Sequence, residues 1–404
     1  MKIAIIGAGA AGCFAAANIP ANAGHEVRVF EKTGKALQKV KVSGGGRCNV
    51  THNCFDIEEL AARYPRGRQF LKKTLHRFGP ADTIRWFESR GVQLKAESDG
   101  RMFPVTDDSQ TIIDCIWKEM MRNGVQVQYN KSLNALESRP GGYTLRFADG
   151  STYEADKVLV ACGGFPKDEQ YAWLRAIPQT IETPVPSLFT FNLPGNPVTS
   201  LMGIAAEVSL KIAGTKIREQ GPLLITHWGF SGPAVLRCSA WAARELHDRN
   251  YTFTVLINWL KDKDDDTLRT DIKRLRTEEG KQLIDHKSPF GLPRRLWEYL
   301  LQESGVPEQT RWADLTAAPQ NKMIENLLRQ SFTVKGKTTF KEEFVTCGGV
   351  RLKDIDPATM QSRQHPSLYF AGEITDVDGI TGGFNFQNAW TGAWIAAQSM
   401  VKEA

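Results

Sequence analysis

Gly7, Gly9 and Gly12 stand at the spacing that a nucleotide pyrophosphate asks of a polypeptide, and Glu31 stands where the attached ribose would be met. Gly7 permits a tight turn, Gly9 lets a pyrophosphate approach the backbone, and Gly12 lets a helix pack closely on a strand. Ala10 and Ala11 complete the turn, and a helix opening there adds free N–H groups and a partial positive charge. Glu31 can accept hydrogen bonds from ribose hydroxyls and would repel a 2′-phosphate, so FAD or NAD is expected and NADP is not. Lys32 opens a basic loop running to Lys41, whose charges suit a pyrophosphate.

Three further stretches carry groups of the same kind. In Ser43-Gly44-Gly45-Gly46-Arg47-Cys48-Asn49, consecutive glycines are poor material for a helix or strand. Followed by Arg47 and Asn49, they point to backbone N–H groups and a guanidinium facing an anion or a polar ring. Gly372-Glu373, after the apolar run Leu368–Phe370, sets a carboxylate where a ribityl hydroxyl could be bound. Gly382-Gly383 opens a final helical run, whose N–H groups and dipole suit the N1–O2 edge of a flavin, where negative charge accumulates on reduction.

Candidates for proton or electron transfer are fewer. His227, in a loop shaped by Gly229, Gly232 and Pro233, is the candidate acid or base, because histidine titrates near neutrality. Cys48 and Cys54 lie where dithiol flavoenzymes keep a redox pair, but at a different spacing and without a second G-x-G-x-x-G. The odd number of cysteines, seven, makes no disulfide framework, and no Cys/His cluster has metal-ligand spacing. Asp262 to Asp266 lacks the glycine and the distal glutamate of a calcium loop and reads as the acidic entry to a helix.

The elements that must position these groups follow from periodicity. Lys2–Ile6 is a buried strand, Cys13–Ile19 a helix, and Val27–Phe30 a second strand ending on Glu31. Helical spacing recurs at Ile57–Arg63, Phe70–Phe78 and Ala81–Arg90, and Val92–Lys95 reads as a strand. A helix is expected from Thr111 to Arg122 with Ser109 as its N-cap, then a third parallel strand at Val125–Val127 and a polar β-meander through Ala155. Lys157–Cys162 is a buried strand running into Gly163-Gly164, the place where two-dinucleotide-binding flavoproteins return under the cofactor. From Thr183 prolines punctuate short strands, and Lys261 to about Leu328 is charge-rich and helix-patterned.

These 404 residues call for two or three domains, with composition ordinary for a globular enzyme and a formal net charge of +6. The charges of the helical block are mixed in sign, which favours a solvated surface over a nucleic-acid face. No run reaches transmembrane length, and the first core strand begins at Lys2 with no room for a signal peptide, so a cytoplasmic enzyme is expected.

Taken together, the chain resembles the HI0933-type flavoprotein family, also known as the BaiN or YhiN family and labelled aminoacetone-oxidase-like. The match rests on the Gly7–Gly12 turn, Ser43–Asn49, Thr226-His227 through Ser231-Gly232-Pro233, Gly348-Gly349-Val350, and Gly372-Glu373 to Gln387. The resemblance implies an α/β fold of the two-dinucleotide-binding type. A Rossmann-like FAD domain (1–186 and 346–404) would carry an inserted β-barrel-like domain (187–260 and 329–345), itself carrying a helical subdomain (261–328). It implies pyrophosphate contacts from Gly7 to Gly12 and a ribose contact from Glu31. Phosphate and ribityl contacts would come from the Ser43–Asn49 loop, with Val127 near the adenine. Ala161, Gly163, Gly372, Glu373, Gly383, Phe384, Asn385 and Gln387 would complete the FAD site, and the glycine pairs themselves add Gly164 and Gly382 to the expected cofactor residues. Glu373 stands where related flavoproteins use aspartate, a change of reach rather than of chemistry.

The expected activity is FAD-dependent oxidoreduction of a small organic substrate. The resemblance leaves amine or aminoketone oxidation and enone reduction both open, and NAD(P)H or O₂ open as redox partner. A flavoprotein that binds or modifies RNA and a dithiol–disulfide flavoenzyme are the alternatives; a membrane partner is not expected.

Overall fold

The computed structural model describes residues 1–21, 24–339 and 345–402. The chain divides into two compact units, one formed by Met1–Ser187 with Lys341–Ala404, the other by Leu188–Phe340.

The first unit is organised by five parallel strands: β1 (Lys2–Ile6), β2 (Glu26–Phe30), β3 (Gln126–Gln128), β4 (Lys157–Val160) and β5 (Leu368–Phe370). Their order across the sheet is β5-β4-β1-β2-β3, with Ile5 opposite both Leu159 and Val29. Strands covered on both faces read as continuous apolar runs, and Ile3–Ile6 and Val158–Val160 are accordingly buried throughout. Helix α1 (Ala10–Ala17) follows β1, α2 (Arg68–Leu75) buries Phe70, Leu71, Thr74 and Leu75, and α3 (Phe384–Val401) closes the chain. The strand order turns back at β1, and a crevice at the carboxyl ends of the strands forms at such a point.

Several local expectations shift. The helix Ser109–Arg122 is capped by Asp108, whose Oδ1 accepts the Gln110 N–H at 2.8 Å; the Ser109 hydroxyl instead donates to the Lys41 carbonyl. The strand expected at Val92–Lys95 is Leu94–Ala96, in a small antiparallel sheet with Arg101–Pro104 and Thr51–His52. Leu133–Arg139, Gly142–Phe147 and Thr152–Ala155 form the meander.

The second unit holds a seven-stranded sheet whose longest members are Ala205–Ile212, Arg218–Thr226 and Thr252–Asn258. Helices Asp265–Glu278, Arg294–Glu303 and Ala317–Arg329 share one hydrophobic cluster with that sheet, which includes Trp259, Trp297 and Trp312. Asp264 caps the first of them by accepting the Thr267 N–H, so the acidic run is a helix entry. Among the described residues no helix is long and apolar enough to cross a membrane.

Candidate functional site

At the end of β1 the backbone turns with Gly7 at φ +102°, and the Gly7 N–H donates to the Phe30 carbonyl at 2.8 Å. A Cβ on Gly7 would stand 2.6 Å from the Cys162 Cα, and one on Gly12 would stand 1.9 Å from the Gly7 carbonyl oxygen. Both positions are therefore closed to any side chain. Gly9 differs: nothing lies within 4 Å of its missing Cβ. No side chain caps α1, so its first N–H groups have no side-chain acceptor there.

Glu31 is 9% exposed. Its Oε2 accepts the Ala8 N–H at 2.9 Å, and Oε1 accepts the Thr33 N–H and hydroxyl, each at 2.9 Å. These three bonds fix the carboxylate against the turn and leave about one acceptor site for a ribose hydroxyl, since two carboxylate oxygens accept about four hydrogen bonds. Beside it opens a cavity of about 250 Å³ lined by Glu31, Lys32, Lys131, Leu133, Phe165 and Trp173 among others. Lys32 Nζ stands 5.3 Å from the Phe165 ring centroid. Val127 lies in β3 opposite Val29; the neighbouring lining comes from Lys131 to Leu133. A glycine turn, an uncapped helix, a fixed carboxylate and an adjoining cavity fit the phosphate and ribose of a dinucleotide cofactor.

The two chain ends meet at this turn. Gly372 follows β5, and a Cβ there would lie 2.9 Å from the Ala11 Cβ. Ala161 continues β4, its N–H donating to the Ile6 carbonyl at 2.9 Å. Gly163 has open space on its Cβ side, whereas Gly164 abuts Thr346. Glu373 is already engaged: Oε1 accepts the Thr346 N–H at 2.9 Å and Oε2 pairs with Lys39 at 2.7 Å.

The helical stretch Gln38–Gly46 loses helical geometry at Ser43, Gly44 and Gly45, as three glycines predict. Gly45 and Gly46 have no atom within 4 Å of their Cβ positions, and the Ser43 hydroxyl donates to the Val40 carbonyl. Arg47 departs from the expectation of a guanidinium facing an anion. It bonds Glu97 at 2.6 Å, stands 3.6 Å from Asp107, and lies over the Phe103 ring at 4.0 Å, so its charge is neutralised locally. Cys48 is buried, which pushes its thiol up to about 12, and burial raises that of Cys54 as well. Neither has the stabilised thiolate that a dithiol–disulfide couple needs.

Asn49 to Thr51 are stitched to α3. The Asn49 amide accepts the Gly383 N–H at 2.9 Å and donates to the Thr51 carbonyl at 3.0 Å. Trp390 Nε1 donates to the Val50 carbonyl, and Tyr64 donates to the Phe384 carbonyl. Gln387, expected at the cofactor, is fully buried. Its Oε1 accepts the Thr51 and Thr83 hydroxyls at 2.6 and 3.0 Å while its Nε2 donates to Thr391, so it braces the helix from within. Asn385 likewise closes on Gly379, accepting its N–H and donating to its carbonyl. Gly382 and Gly383 turn the chain at φ +130° and +91°, and no side chain caps α3. Its first turn thus retains N–H groups for an electron-rich edge.

Two contributors had no signal in the linear pattern. The His52 ring stacks on Phe384 at 4.8 Å and 20°, with Nε2 3.1 Å from the Asp99 carbonyl oxygen; burial lowers its pKa and keeps it neutral. Arg66 holds the buried Asp378 through Nε at 2.5 Å and through Nη2, and Ser187 donates to the same carboxylate at 2.7 Å. His227 lies in the second unit, exposed on the turn between Arg218–Thr226 and Gly229–Ser231, with its ring 4.4 Å from that of Trp228. Among the described residues no group of His, Cys, Asp or Glu could hold a metal ion.

A family model described as the HI0933-like protein Rossmann domain matches residues 1–399. A ribosomal RNA dihydrouridine synthase of Escherichia coli is 32% identical over 98% of this chain and 97% of its own length. A 3-dehydro-bile acid delta(4,6)-reductase of Clostridium scindens is 27% identical over 99% of both. Among solved structures, a 3-ketosteroid-delta4-(5alpha)-dehydrogenase from Rhodococcus jostii RHA1 superposes with a TM-score of 0.53 at 12% identity. That match covers 100% of this chain and 97% of the other.

Proposed function

The chain belongs to the HI0933-like family, and we propose that it reduces a carbon–carbon double bond conjugated with a carbonyl, its substrate being uracil in ribosomal RNA. It is an oxidoreductase and its cofactor is FAD. The observation that carries the substrate reading is the end-to-end likeness to the dihydrouridine synthase. The bile-acid relative makes it chemically coherent. A 4,6-diene beside a 3-oxo group and the uracil 5,6 bond beside its 4-carbonyl are both α,β-unsaturated carbonyl systems. Charge pattern favours a small molecule over RNA; the higher identity to the dihydrouridine synthase, 32% against 27%, supports the RNA reading.

When bound and reduced by two electrons from a nicotinamide nucleotide, the flavin would supply the hydride for the β-carbon of such a system and return to its oxidised form. The residues have separable tasks. Gly7 to Gly12 and the first N–H groups of α1 receive the pyrophosphate, and Glu31 takes the ribose. Gly45, Gly46 and Gly163 leave room for the cofactor's length. The first turn of α3, set by Asn49, would offer N–H groups and a positive dipole end to the flavin's electron-rich edge and so favour its reduced form. The α-carbon needs a proton, and His227 is the proposed donor. NADH or NADPH is the proposed reductant.

The test is to incubate ribosomal RNA from a strain lacking the gene with the purified protein and NADPH or NADH, then digest it and measure dihydrouridine by mass spectrometry. A two-hydrogen mass gain on uridine is expected. Its absence, with reduction of a 4,6-dien-3-one steroid instead, would replace the RNA reading by the small-molecule one. Within the working assay, His227→Asn is expected to lower kcat by about 10²-fold or more with the flavin spectrum intact. Unchanged turnover would remove it from the mechanism.

A further inference from the structure

Resting on the RNA reading above, we propose that α2 and the loop preceding Ile57–Ala61 form a docking track for single-stranded ribosomal RNA. Lys73, His76 and Arg77 would take phosphates, and Phe55 would take a base.

Lys73, His76 and Arg77 recur at i, i+3 and i+4, on one face of α2 and the turn that continues it. All three are exposed, and among the described residues no carboxylate pairs with any of them. The nearby acids are committed elsewhere: Glu58 to Arg68 and Lys72, Glu59 to Arg63, and Asp82 to Arg85. The opposite face of α2 is fixed inward. Phe78 stacks on Trp394 at 5.3 Å, and its carbonyl accepts the Thr391 hydroxyl of α3 at 2.7 Å. The cationic face therefore cannot turn into the core.

Phe55 is 57% exposed, a large apolar side chain with no burial to account for it. It lies three residues after His52, whose ring stacks on Phe384 at the start of α3, and three residues before Glu58, which holds Lys72 of α2. The segment carrying Phe55 is thus tied at one side to the start of α3 through His52 and at the other to α2 through Glu58. Aromatic stacking beside backbone-tracking cations is how single strands are held without reading sequence. The negative end of a helix dipole also favours cations at a helix C-terminus, but it gives no role to Phe55.

The test measures binding of a labelled single-stranded oligoribonucleotide to the FAD-loaded enzyme across a salt series. Lys73→Glu with Arg77→Glu is expected to weaken binding by about 10-fold or more at moderate salt and to flatten the log–log salt slope by about 1.4. Phe55→Ala is expected to weaken binding by about 5-fold or more with the slope unchanged. The flavin spectrum and the rate of anaerobic reduction by NAD(P)H should match wild type in every variant. Wild-type affinity and slope in the variants would overturn the track while leaving the RNA reading standing. Failure of the wild-type enzyme both to bind RNA and to form dihydrouridine would remove that reading, and the track with it.

Discussion

Gly9 and Gly12 belong to one motif but answer to different constraints, and this makes them separable by experiment. A methyl group at Gly12 would stand 1.9 Å from the Gly7 carbonyl oxygen and force α1 off β1. Gly12→Ala is expected to destabilise the cofactor-free protein by about 1–3 kcal/mol, seen as a lower midpoint in denaturant. A methyl group at Gly9 meets nothing within 4 Å. Gly9→Ala should leave cofactor-free stability within about 0.5 kcal/mol of wild type. It should nevertheless weaken FAD binding by about 10-fold or more, because the backbone can no longer approach the pyrophosphate. Equal loss of stability in both variants would contradict this division. The motif was legible because every term of it is local. Arg47 and Gln387 were not, because their partners Glu97, Thr51 and Thr83 lie far along the chain and no spacing rule joins them. A charged or amide side chain beside a glycine loop looks like a ligand contact until its own satisfaction is accounted for.

At the scale of elements, the start of α3 is held by the segment running into the short strand Thr51–His52 rather than by a cap of its own. Asn49, Val50 and Thr51 bond Gly383, Trp390 and Gln387, so the first turn of the helix is positioned from outside. Strands and helices themselves follow periodicity, which explains why β1 to β5 and α3 could be read in advance. Their lateral ties depend on tertiary contacts that periodicity does not encode. Gln387→Met preserves volume but strands the Thr51 and Thr83 hydroxyls and removes a donor to the Thr391 hydroxyl, which keeps its bond to the Phe78 carbonyl. It is expected to cost about 1–3 kcal/mol in thermal or chemical unfolding, while the folded fraction keeps a wild-type flavin spectrum. A lost spectrum at unchanged stability would return Gln387 to the cofactor.

His52 sits in the same short strand and gives it a pH dependence. Its folded pKa is depressed, first by burial, so the unfolded chain binds the proton more readily. Stability therefore rises with pH through the histidine range and is lost as the pH falls below the ordinary histidine value of about 6.5. The ring is partly exposed, so the slope is shallow. His52→Gln should flatten it in a denaturation series, and an unaltered slope would assign the dependence to other groups.

Across the whole molecule, the groups proposed for the cofactor come from both ends of the chain, while residues 188–340 close on a core of their own. That core joins Phe191, Phe230, Trp259, Trp297 and Trp312 with the sheet and three helices in one cluster. Parallel strands β4 and β5 pair across the whole of that intervening stretch, a pairing with a high closure cost that a pre-formed inner unit would reduce. A segment with its own hydrophobic core should fold alone. Residues 188–340 expressed by themselves are expected to give cooperative unfolding by circular dichroism and no absorbance near the flavin band after incubation with FAD. A fragment that stays unfolded would show that its core depends on the rest of the chain. A fragment that binds FAD would move the cofactor away from the glycine turn at Gly7–Gly12.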